Sequence, residues 1–441
     1  MEHSVNQELL DFIDASPTAW HAVETLARRL SSAGCRELRE YEDWSLCPGE
    51  RVFVRRNGSA LIAFRVPEAG FPGFMLMAAH ADSPCFKLKE LKTVDAAGLY
   101  AQLNVERYGG MLMAPWLDRP LSAAGRVVVR EGDALATRLV DLKRDLFLIP
   151  NLAIHMDRGA NENKSYDMKT DMLPLAGSAG SGKGLAALVA ASAGVREEEL
   201  VSAELQLYPR TPGTVWGLEG EYLSSPRLDD LQCVFACARG FLQAGRGESA
   251  PVLCVFDNEE VGSGTKQGAD SDFLSDTLLR LCACLGLDGA AYRRRLAQSF
   301  LVSADNAHAV HPNHPEYADK SDRPEMNKGV VVKFNAGQRY TSDAVSAAVF
   351  EEICRRAGVP TQRYTNRADL AGGSTLGRIS SAHVSVDSVD VGLAQLAMHS
   401  CYETAGAKDT AWLIRAAARF FASSLRRDER GVRILDGEED A

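Results

Sequence analysis

The spacing of hydrophobic positions changes twice along the chain and divides it into three parts. Residues 6–31 carry apolar side chains at helical spacing, which predicts two helices that break near Ser16 and Pro17. Short apolar runs then predict strands at residues 52–55, 60–66 and 74–79. The last run is apolar at nearly every position, which is typical of a central strand covered on both faces.

The middle third of the chain lacks this regularity. From about residue 91 to residue 225, short alternating runs lie between Gly and Pro turns, and helical spacing is clear only near residues 183–194. This pattern predicts a mostly β segment. From residue 226 onwards, helices and strands alternate again. The predicted elements are helices at 228–243, 273–285, 344–356 and 405–425, and strands at 252–256, 300–303, 330–334 and 383–386.

Alternation of helix and strand implies a mainly parallel sheet with helices on both faces, because parallel strands need long crossover connections. We therefore predict an α/β domain built from residues 1–90 and 226–441, interrupted by a β-rich domain at 91–225. The 441 residues of the chain are enough for more than one structural unit.

Composition and charge narrow the possible partners. Hydrophobic residues make up 46% of the chain and charged residues 24%, which is typical of a soluble globular protein. The net charge of -10 argues against nucleic acid, since phosphate binding needs a basic face. The N-terminus has no signal-peptide pattern, and no apolar run approaches the roughly 20 residues that span a bilayer. We expect a cytoplasmic protein that binds no membrane, with its ten cysteines reduced and mostly buried.

Five short segments place metal-binding side chains at the ends of apolar stretches or in the loops that follow. They are MLMAAHADSP, SSPRLDDL, LCVFDNEEVGS, LVSADNAHAVHP and LAQLAMHSC. In open α/β sheets, ligands bind beyond the carboxyl ends of the strands. We therefore expect the first four segments to follow strands and the fifth to follow a helical stretch, with all five meeting at the edge of one sheet.

Each segment has an ordinary structural interpretation when it is taken alone. His80 ends the first segment's strand, and Asp82 is a suitable acceptor for the second ring nitrogen of a metal-binding histidine, but a structural histidine is an equal alternative. Residues 256–260, FDNEE, place three carboxylates within four residues, which is costly unless a cation neutralises them, although a solvated acidic turn would look the same. Paired glutamates also allow one to bind metal while the other stays free as a base.

Taken together, the five segments favour a metal site. The remaining candidates are Asp229 and Asp230 in the second segment, Asp305, His308 and His311 in the fourth, and His399 in the fifth. A mixture of imidazole and carboxylate suits zinc, with cobalt or manganese as alternatives. One ligand from each segment gives a set of five, namely His, Asp, Glu, Asp and His. Five ligands exceed the needs of one tetrahedral zinc and fit two divalent ions that share a bridging carboxylate.

The same segments closely resemble the aspartyl aminopeptidase family of dinuclear zinc metallopeptidases. The resemblance rests on HADSPC (80–85), SPRLDD (225–230), FDNEEVGS (256–263), SADNAHAVHP (303–312) and AMHS (397–400), and also on ERYGG (106–110), NLAIHMDR (151–158), NKGVVVKFN (327–335) and QRYTSDA (338–344). It extends from about residue 5 to residue 425. The resemblance implies that two metal ions are held by His80, Asp229, Glu260, Asp305 and His399, with Asp229 as the bridge. It also implies Glu259 as the general base, and we group Asp82 with the catalytic residues because of its place beside His80.

The resemblance further implies what the protein acts on and how it assembles. The expected reaction is hydrolysis of the N-terminal residue, preferably Asp or Glu, from peptide substrates by a metal-activated water. Lys333 is expected to meet the acidic side chain, and His155 to reach an active site, that of a neighbouring subunit. Some descriptions of the family make His155 a metal ligand instead. The middle insertion would be a dimerisation domain, and the dimers would build a tetrahedral dodecamer.

Three alternatives remain open at this point. A carboxypeptidase or amide deacylase with the same pair of metals would also use paired acids, and a non-catalytic scaffold would keep the fold. The third alternative is nucleotide binding, because residues 177–184, GSAGSGKG, nearly match the phosphate-binding loop. The residue after Lys183 is Gly184, so the hydroxyl that would hold magnesium is missing, and we expect no clear strand before the loop.

Overall fold

The computed structural model of the protein describes residues 2–370, 372–373 and 375–437. Helices α1 to α9 span Glu2–Asp14, Ala19–Ser32, Leu185–Ala193, Leu228–Gln243, Phe273–Cys284, Gly289–Leu296, Ala344–Arg356, Leu376–Ser380 and Asp409–Ala422. Among the described residues, no helix is both long and apolar enough to cross a membrane. The expected cytoplasmic location stays a prediction.

The strands form three larger sheets and one hairpin within the described part of the chain. Strands β1 to β11 span Arg36–Leu38, Arg51–Arg56, Ala60–Arg65, Phe74–His80, Cys85–Ala96, Tyr100–Tyr108, Leu121–Glu131, Ala134–Asp141, Leu175–Ser178, Leu200–Pro209 and Thr214–Trp216. Strands β12 to β22 span Tyr222–Ser225, Ala250–Phe256, Phe300–Ala304, Ala307–His308, Val330–Phe334, Thr361–Thr365, Asp387–Gly392, Ala394–Leu396, Glu403–Gly406, Ser424–Asp428 and Gly431–Leu435. The last two pair with each other as the hairpin.

The largest sheet carries the centre of the molecule. Its nine strands have the order β1-β2-β3-β13-β4-β14-β18-β16-β17, and the four neighbours β13, β4, β14 and β18 are all parallel. Every residue of β4, β13 and β14 is buried, as expected of apolar strands covered on both faces. Alternate residues of β4 face opposite layers: Met75 and Met77 belong to the apolar core that contains residues of α1, α2, α4, α7 and α9, and Leu76 belongs to the core that contains residues of α5 and α8. The predicted α/β fold, with helices on both faces of a largely parallel sheet, is confirmed.

A second sheet is built from the middle of the chain. Its six strands have the order β8-β7-β10-β5-β6-β9, and all adjacent pairs are antiparallel. It has its own apolar core, in which Phe86 packs edge-on against Trp116. The sheet begins at Cys85, and the predicted domain boundaries at 91 and 225 stay a prediction.

A third sheet of five strands joins distant parts of the chain, in the order β11-β12-β20-β19-β15. Strand β14 is separated from β15 only by Asp305 and Asn306, and β18 from β19 only by Leu393. Two central strands of the large sheet therefore pass almost directly into the third sheet. As a result, the carboxyl ends of these central strands lie next to the five-stranded sheet.

Two predicted elements differ from the structure. The strand predicted at 383–386 is a turn, because the amides of His383 and Val384 donate to the carbonyl of Ser380 at the end of α8, and the strand starts at Asp387. The helix predicted at 405–425 is β20, α9 and β21. Ala405 pairs with β12 and β19, so sheet pairing overrides the helical preference of the alanine-rich stretch.

The cysteines and the loop at 177–184 can also be compared with their predictions. All ten cysteines are free, eight of them are buried, and Cys47 and Cys284 are exposed. The expectation of no strand before the loop at 177–184 is wrong, because β9 runs into it. However, β9 pairs antiparallel with β6, unlike the parallel strand that precedes a phosphate-binding loop. The side chain of Lys183 lies outside the described part of the structure.

Candidate metal centre

The predicted metal-binding residues come from the ends of strands in two sheets. His80 is the last residue of β4, Glu260 lies in a short turn after β13, and Asp305 follows β14, all in the nine-stranded sheet. Asp229 lies in the first turn of α4, directly after β12, and His399 follows β19, and both strands belong to the five-stranded sheet. The expectation of a single sheet is therefore wrong, and so is the helical stretch expected before His399.

The structure brings these five side chains together around Asp229. Donor atoms of His80, Asp229 and Asp305, with Asp230, all lie within 4.8 Å of one another, and so do donor atoms of Asp229, Glu260 and His399. A third group within this distance consists of His80, Glu259 and Glu260. His80 Nε2 lies 3.6 Å from Asp229 Oδ1, whereas His399 Nε2 lies 3.5 Å from Asp229 Oδ2. The first two groups therefore meet at Asp229, with one carboxylate oxygen towards each histidine.

The donor set fits divalent metal. Asp229 Oδ1, Asp230 Oδ1 and Glu260 Oε1 are buried and accept no hydrogen bond from the protein. Buried acceptors of this kind are costly when nothing compensates them, and a cation is the simplest compensation for several carboxylates at once. Imidazole together with carboxylate is a donor set that zinc favours.

Both histidines have their second ring nitrogen held by an acceptor, as metal-binding histidines require. The Nδ1 atom of His80 lies 3.1 Å from the main-chain oxygen of Asp82 and 3.4 Å from its carboxylate. The Nδ1 atom of His399 is hydrogen-bonded to the carbonyl oxygen of Gly110. These contacts direct each Nε2 atom towards Asp229.

Asp82 also fixes the loop that carries the paired glutamates. Its carboxylate accepts hydrogen bonds from the amides of Glu259 (3.1 Å) and Glu260 (3.2 Å) and from the hydroxyl of Tyr108 (2.7 Å). Tyr108 in turn accepts a hydrogen bond from the side-chain amide of Asn258, over 2.8 Å. Sequence reasoning singled out Asp82 but missed Tyr108, although it lies within the ERYGG segment.

Burial and crowding separate the proton affinities of the acids. Burial raises the pKa of Glu259 to about 7, and the neighbouring Asp305 and Asp82 add to this effect. Burial and the charge of Asp229 raise the pKa of Glu260 well above its usual range. For Asp229 burial acts in the same direction, but the close approach of His399 and His80 outweighs it and holds its pKa below the usual range. A carboxylate with a pKa near neutrality, as in Glu259, is suited to general-base catalysis.

A cavity of about 290 Å³ opens beside these residues. It is lined by His80, Asp229, Glu259, Asp305, Asn306, Ala307, His308, Lys333, Tyr340, Tyr364, Gly373, Thr375, Met398 and His399. Lys333 is 2% exposed, and its ammonium donates to the carbonyl oxygen of Asn306 (2.8 Å) and lies 3.6 Å from Asp305 Oδ1. Burial by itself lowers the pKa of Lys333, but the charge of Asp305 outweighs it, so the pKa is raised and the ammonium stays charged.

Two predicted or candidate histidines lie away from the metal centre. His155 is exposed on the loop between β8 and β9 and belongs to none of the three groups of donor atoms found among the described residues. His311 is also exposed and belongs to none of them. His308 lines the cavity, with its ring packed edge-on against Tyr364.

Comparisons with known proteins agree with this geometry. Residues 12–421 match the family described as aminopeptidase I zinc metalloprotease (M18). The chain is 42% identical over 422 residues to a probable M18 family aminopeptidase 2 from Clostridium novyi (strain NT), a match that covers 94% of this chain and 98% of the relative. A chain in the cryo-EM structure of the Ape4 and Nbr1 complex has a TM-score of 0.92 and 36% identity, covering 95% of this chain and 86% of that one. The structure of the S. cerevisiae mApe1 dodecamer has a TM-score of 0.83 and 28% identity, covering 95% and 96%.

The fold, the donor set and these relatives define a zinc metallo-aminopeptidase. The chain belongs to the M18 family of zinc metallopeptidases. The alternatives of a carboxypeptidase or deacylase, a non-catalytic scaffold and a nucleotide-binding protein are set aside.

We predict that the metal-free protein loses stability as the pH rises. Folding raises the pKa of Glu259 from 4.5 to about 7. In His399 burial lowers the pKa, but Asp229 and Glu260 outweigh it and raise the pKa from 6.5 to about 10. The folded metal-free chain therefore binds more protons than the unfolded chain between about pH 5.5 and about pH 8, so its free energy of unfolding falls as pH rises through this range.

Thermal unfolding midpoints of chelator-treated and zinc-loaded protein, measured between about pH 5.5 and about pH 8, check this prediction. Bound metal keeps its ligands deprotonated, so the midpoint of the loaded protein should change less over the same range. Parallel curves for the two preparations would contradict it.

Proposed function

We propose that the centre binds two divalent cations, zinc in the first place and cobalt or manganese as alternatives. His80 and Asp305 would hold one ion, Glu260 and His399 the other, and Asp229 both. The observation that supports this arrangement is that two of the three groups of donor atoms overlap at Asp229, whose two oxygens face different histidines. When bound, the ions supply the positive charge that lowers the pKa of a water molecule and polarises the scissile carbonyl.

Glu259 is the general base in this proposal. Its carboxylate takes the proton of the attacking water and delivers it to the leaving amine. The support is its position on the wall of the cavity, the two hydrogen bonds that the amides of Glu259 and Glu260 donate to Asp82, which fix its loop, and its pKa of about 7. Glu260, the adjacent residue, lies 3.4 Å from the Nε2 atom of His399 and is assigned to the metal instead.

Lys333 provides the proposed preference for acidic N-terminal residues. It is the buried ammonium on the wall of the cavity, and a charge-assisted hydrogen bond would favour Asp or Glu over a neutral side chain. Asp305 neutralises part of the positive charge of Lys333, because its Oδ1 atom lies 3.6 Å from the ammonium. We propose that the peptide places its first residue in the cavity, with Lys333 at the side-chain end and Glu259 at the scissile bond.

The insertion at 91–225 is proposed as a dimerisation domain of a tetrahedral dodecamer. In this assembly His155 would reach the active site of a neighbouring subunit and contact the substrate rather than a metal ion. The support is a dodecameric relative and the apolar side chains around His155: Leu152, Ile154 and Met156 are 55%, 48% and 76% exposed. Exposed apolar residues grouped in this way favour a protein interface. Native mass spectrometry of the purified protein tests the assembly, and a monomer at working concentrations would contradict it.

The central test of the mechanism compares the two adjacent glutamates. Glu259→Gln keeps the size of the side chain but removes the base, so kcat should fall on the order of 10²–10⁴-fold while the metal content stays native. Glu260→Gln should lose metal as well as activity. Kinetics with aminoacyl arylamides and elemental analysis of each purified variant provide the two measurements. Near-native turnover by the Glu259 variant would disprove its assignment as the base.

Lys333→Met tests the acidic preference separately. Loss of a charge-assisted hydrogen bond worth about 1.5–3 kcal/mol should lower kcat/KM for an N-terminal Asp or Glu about 10–150-fold. Hydrolysis of an N-terminal Leu should change little, and this neutral substrate also controls for any effect on Asp305. An equal loss on acidic and neutral substrates would remove Lys333 from specificity.

A further inference from the structure

Glu403 is a buried carboxylate next to the metal centre that is neither a proposed ligand nor the base. It is 2% exposed and is the first residue of β20, the middle strand of the five-stranded sheet. On one side β20 pairs with β12, which leads to Asp229, and on the other side with β19, which leads to His399. Glu403 therefore lies between the two chain segments that deliver these ligands.

The two carboxylate oxygens of Glu403 bind one main-chain amide each. Oε2 accepts a hydrogen bond from the amide of Asp229 over 3.0 Å, and Oε1 accepts one from the amide of His399 over 2.8 Å. The sheet ladder cannot satisfy these amides, because both residues lie beyond the ends of their strands and His399 has a left-handed φ of 65°. Among the described residues, no lysine or arginine forms an ion pair with Glu403, so its contacts are with the ligand-bearing backbone.

This arrangement repeats, for the other half of the centre, what Asp82 does for the paired glutamates. Asp82 binds the amides of Glu259 and Glu260, and Glu403 binds those of Asp229 and His399. The side chains of Asp229 and His399 face each other directly, with His399 Nε2 3.5 Å from Asp229 Oδ2. A small displacement of either backbone would change this distance.

We propose that Glu403 is a positioning residue for the metal centre: it binds the amides of Asp229 and His399 through one carboxylate and so keeps both side chains at the spacing that a shared cation requires. The inference rests on the proposed ligand set. Outer groups that orient metal ligands typically contribute about 10–100-fold to metal affinity, and Glu403 should act in this range.

A cobalt titration of the full-length, metal-free protein tests this role. Co²⁺ binding is followed by its visible absorption, which reports ligand geometry without depending on activity. Glu403→Gln keeps the size of the side chain but leaves only one acceptor oxygen for two amides. We expect its Kd for Co²⁺ to rise about 10–100-fold, with an altered spectrum, and its kcat to recover towards the wild-type value once Co²⁺ is saturating, because the base is intact.

Asp409→Asn is the matched control. Asp409 is equally buried and accepts hydrogen bonds from two amides, those of Asn327 (2.7 Å) and Gly329 (3.2 Å), but it contacts none of the proposed ligands. It should lose thermal stability with native Co²⁺ affinity. If Glu403→Gln does not fold, Glu403→Asp keeps the charge but is too short to reach both amides, and it should weaken Co²⁺ binding in the same way.

The possible outcomes separate this inference from the proposed function. If the wild-type protein binds no Co²⁺, the ligand set itself is wrong. If the wild type binds and Glu403→Gln binds equally well, only the role of Glu403 is disproved. Equal weakening by the Asp409 control, or a cobalt-saturated Glu403 variant that stays inactive, would also overturn it.

Discussion

Buried negative charge is the constraint on which the rest of this structure depends. Asp229, Asp230 and Glu260 each carry a buried oxygen with no hydrogen-bond partner in the protein, and the acids around them raise one another's pKa values. Lys333 lies beside Asp305 at the edge of this group. Protonation or a bound cation must offset the cost of burying these carboxylates, so metal binding and the local fold are linked.

The architecture meets this constraint by bringing strand ends from two sheets together. Three of the proposed metal-binding positions follow strands of the nine-stranded sheet, and two follow strands of the five-stranded sheet. Because the chain passes from β14 to β15 and from β18 to β19 with only one or two residues between them, the two sheets are joined at the site itself. Buried carboxylates then hold the loop backbones: Asp82 holds the paired glutamates, and Glu403 holds Asp229 and His399. The acids of the proposed metal centre thus differ in role according to what each one contacts.

Local pattern was enough to predict three of the central strands, β4, β13 and β14, and most of the candidate site. Strands β4 and β13 are apolar at almost every position, so their burial and the location of His80 and Glu260 at their ends could be inferred. The pairing of strands that are distant in the chain could not be inferred from local sequence pattern. The segment before His399 was predicted as helix but is β19, because it fits between β15 and β20, whose residues are distant in the chain.

Other features depend on contacts that no local pattern shows. Glu403 is a single acid in a short segment, and its role appears only when Asp229 and His399 meet it in space. Tyr108 lies on β6, in the six-stranded sheet, yet bonds to Asp82 at the centre. The proposed role of His155 requires a second copy of the chain, so neither the sequence nor the single chain determines it.

The most direct test of the central claim is anomalous diffraction at the zinc absorption edge from crystals of the zinc-loaded protein. Two peaks are predicted, one on each side of the Asp229 carboxylate, the first beside His80 and Asp305 and the second beside Glu260 and His399. A well-ordered centre with no zinc, or with zinc bound away from Asp229, would contradict the claim that this buried charge is completed by a pair of cations.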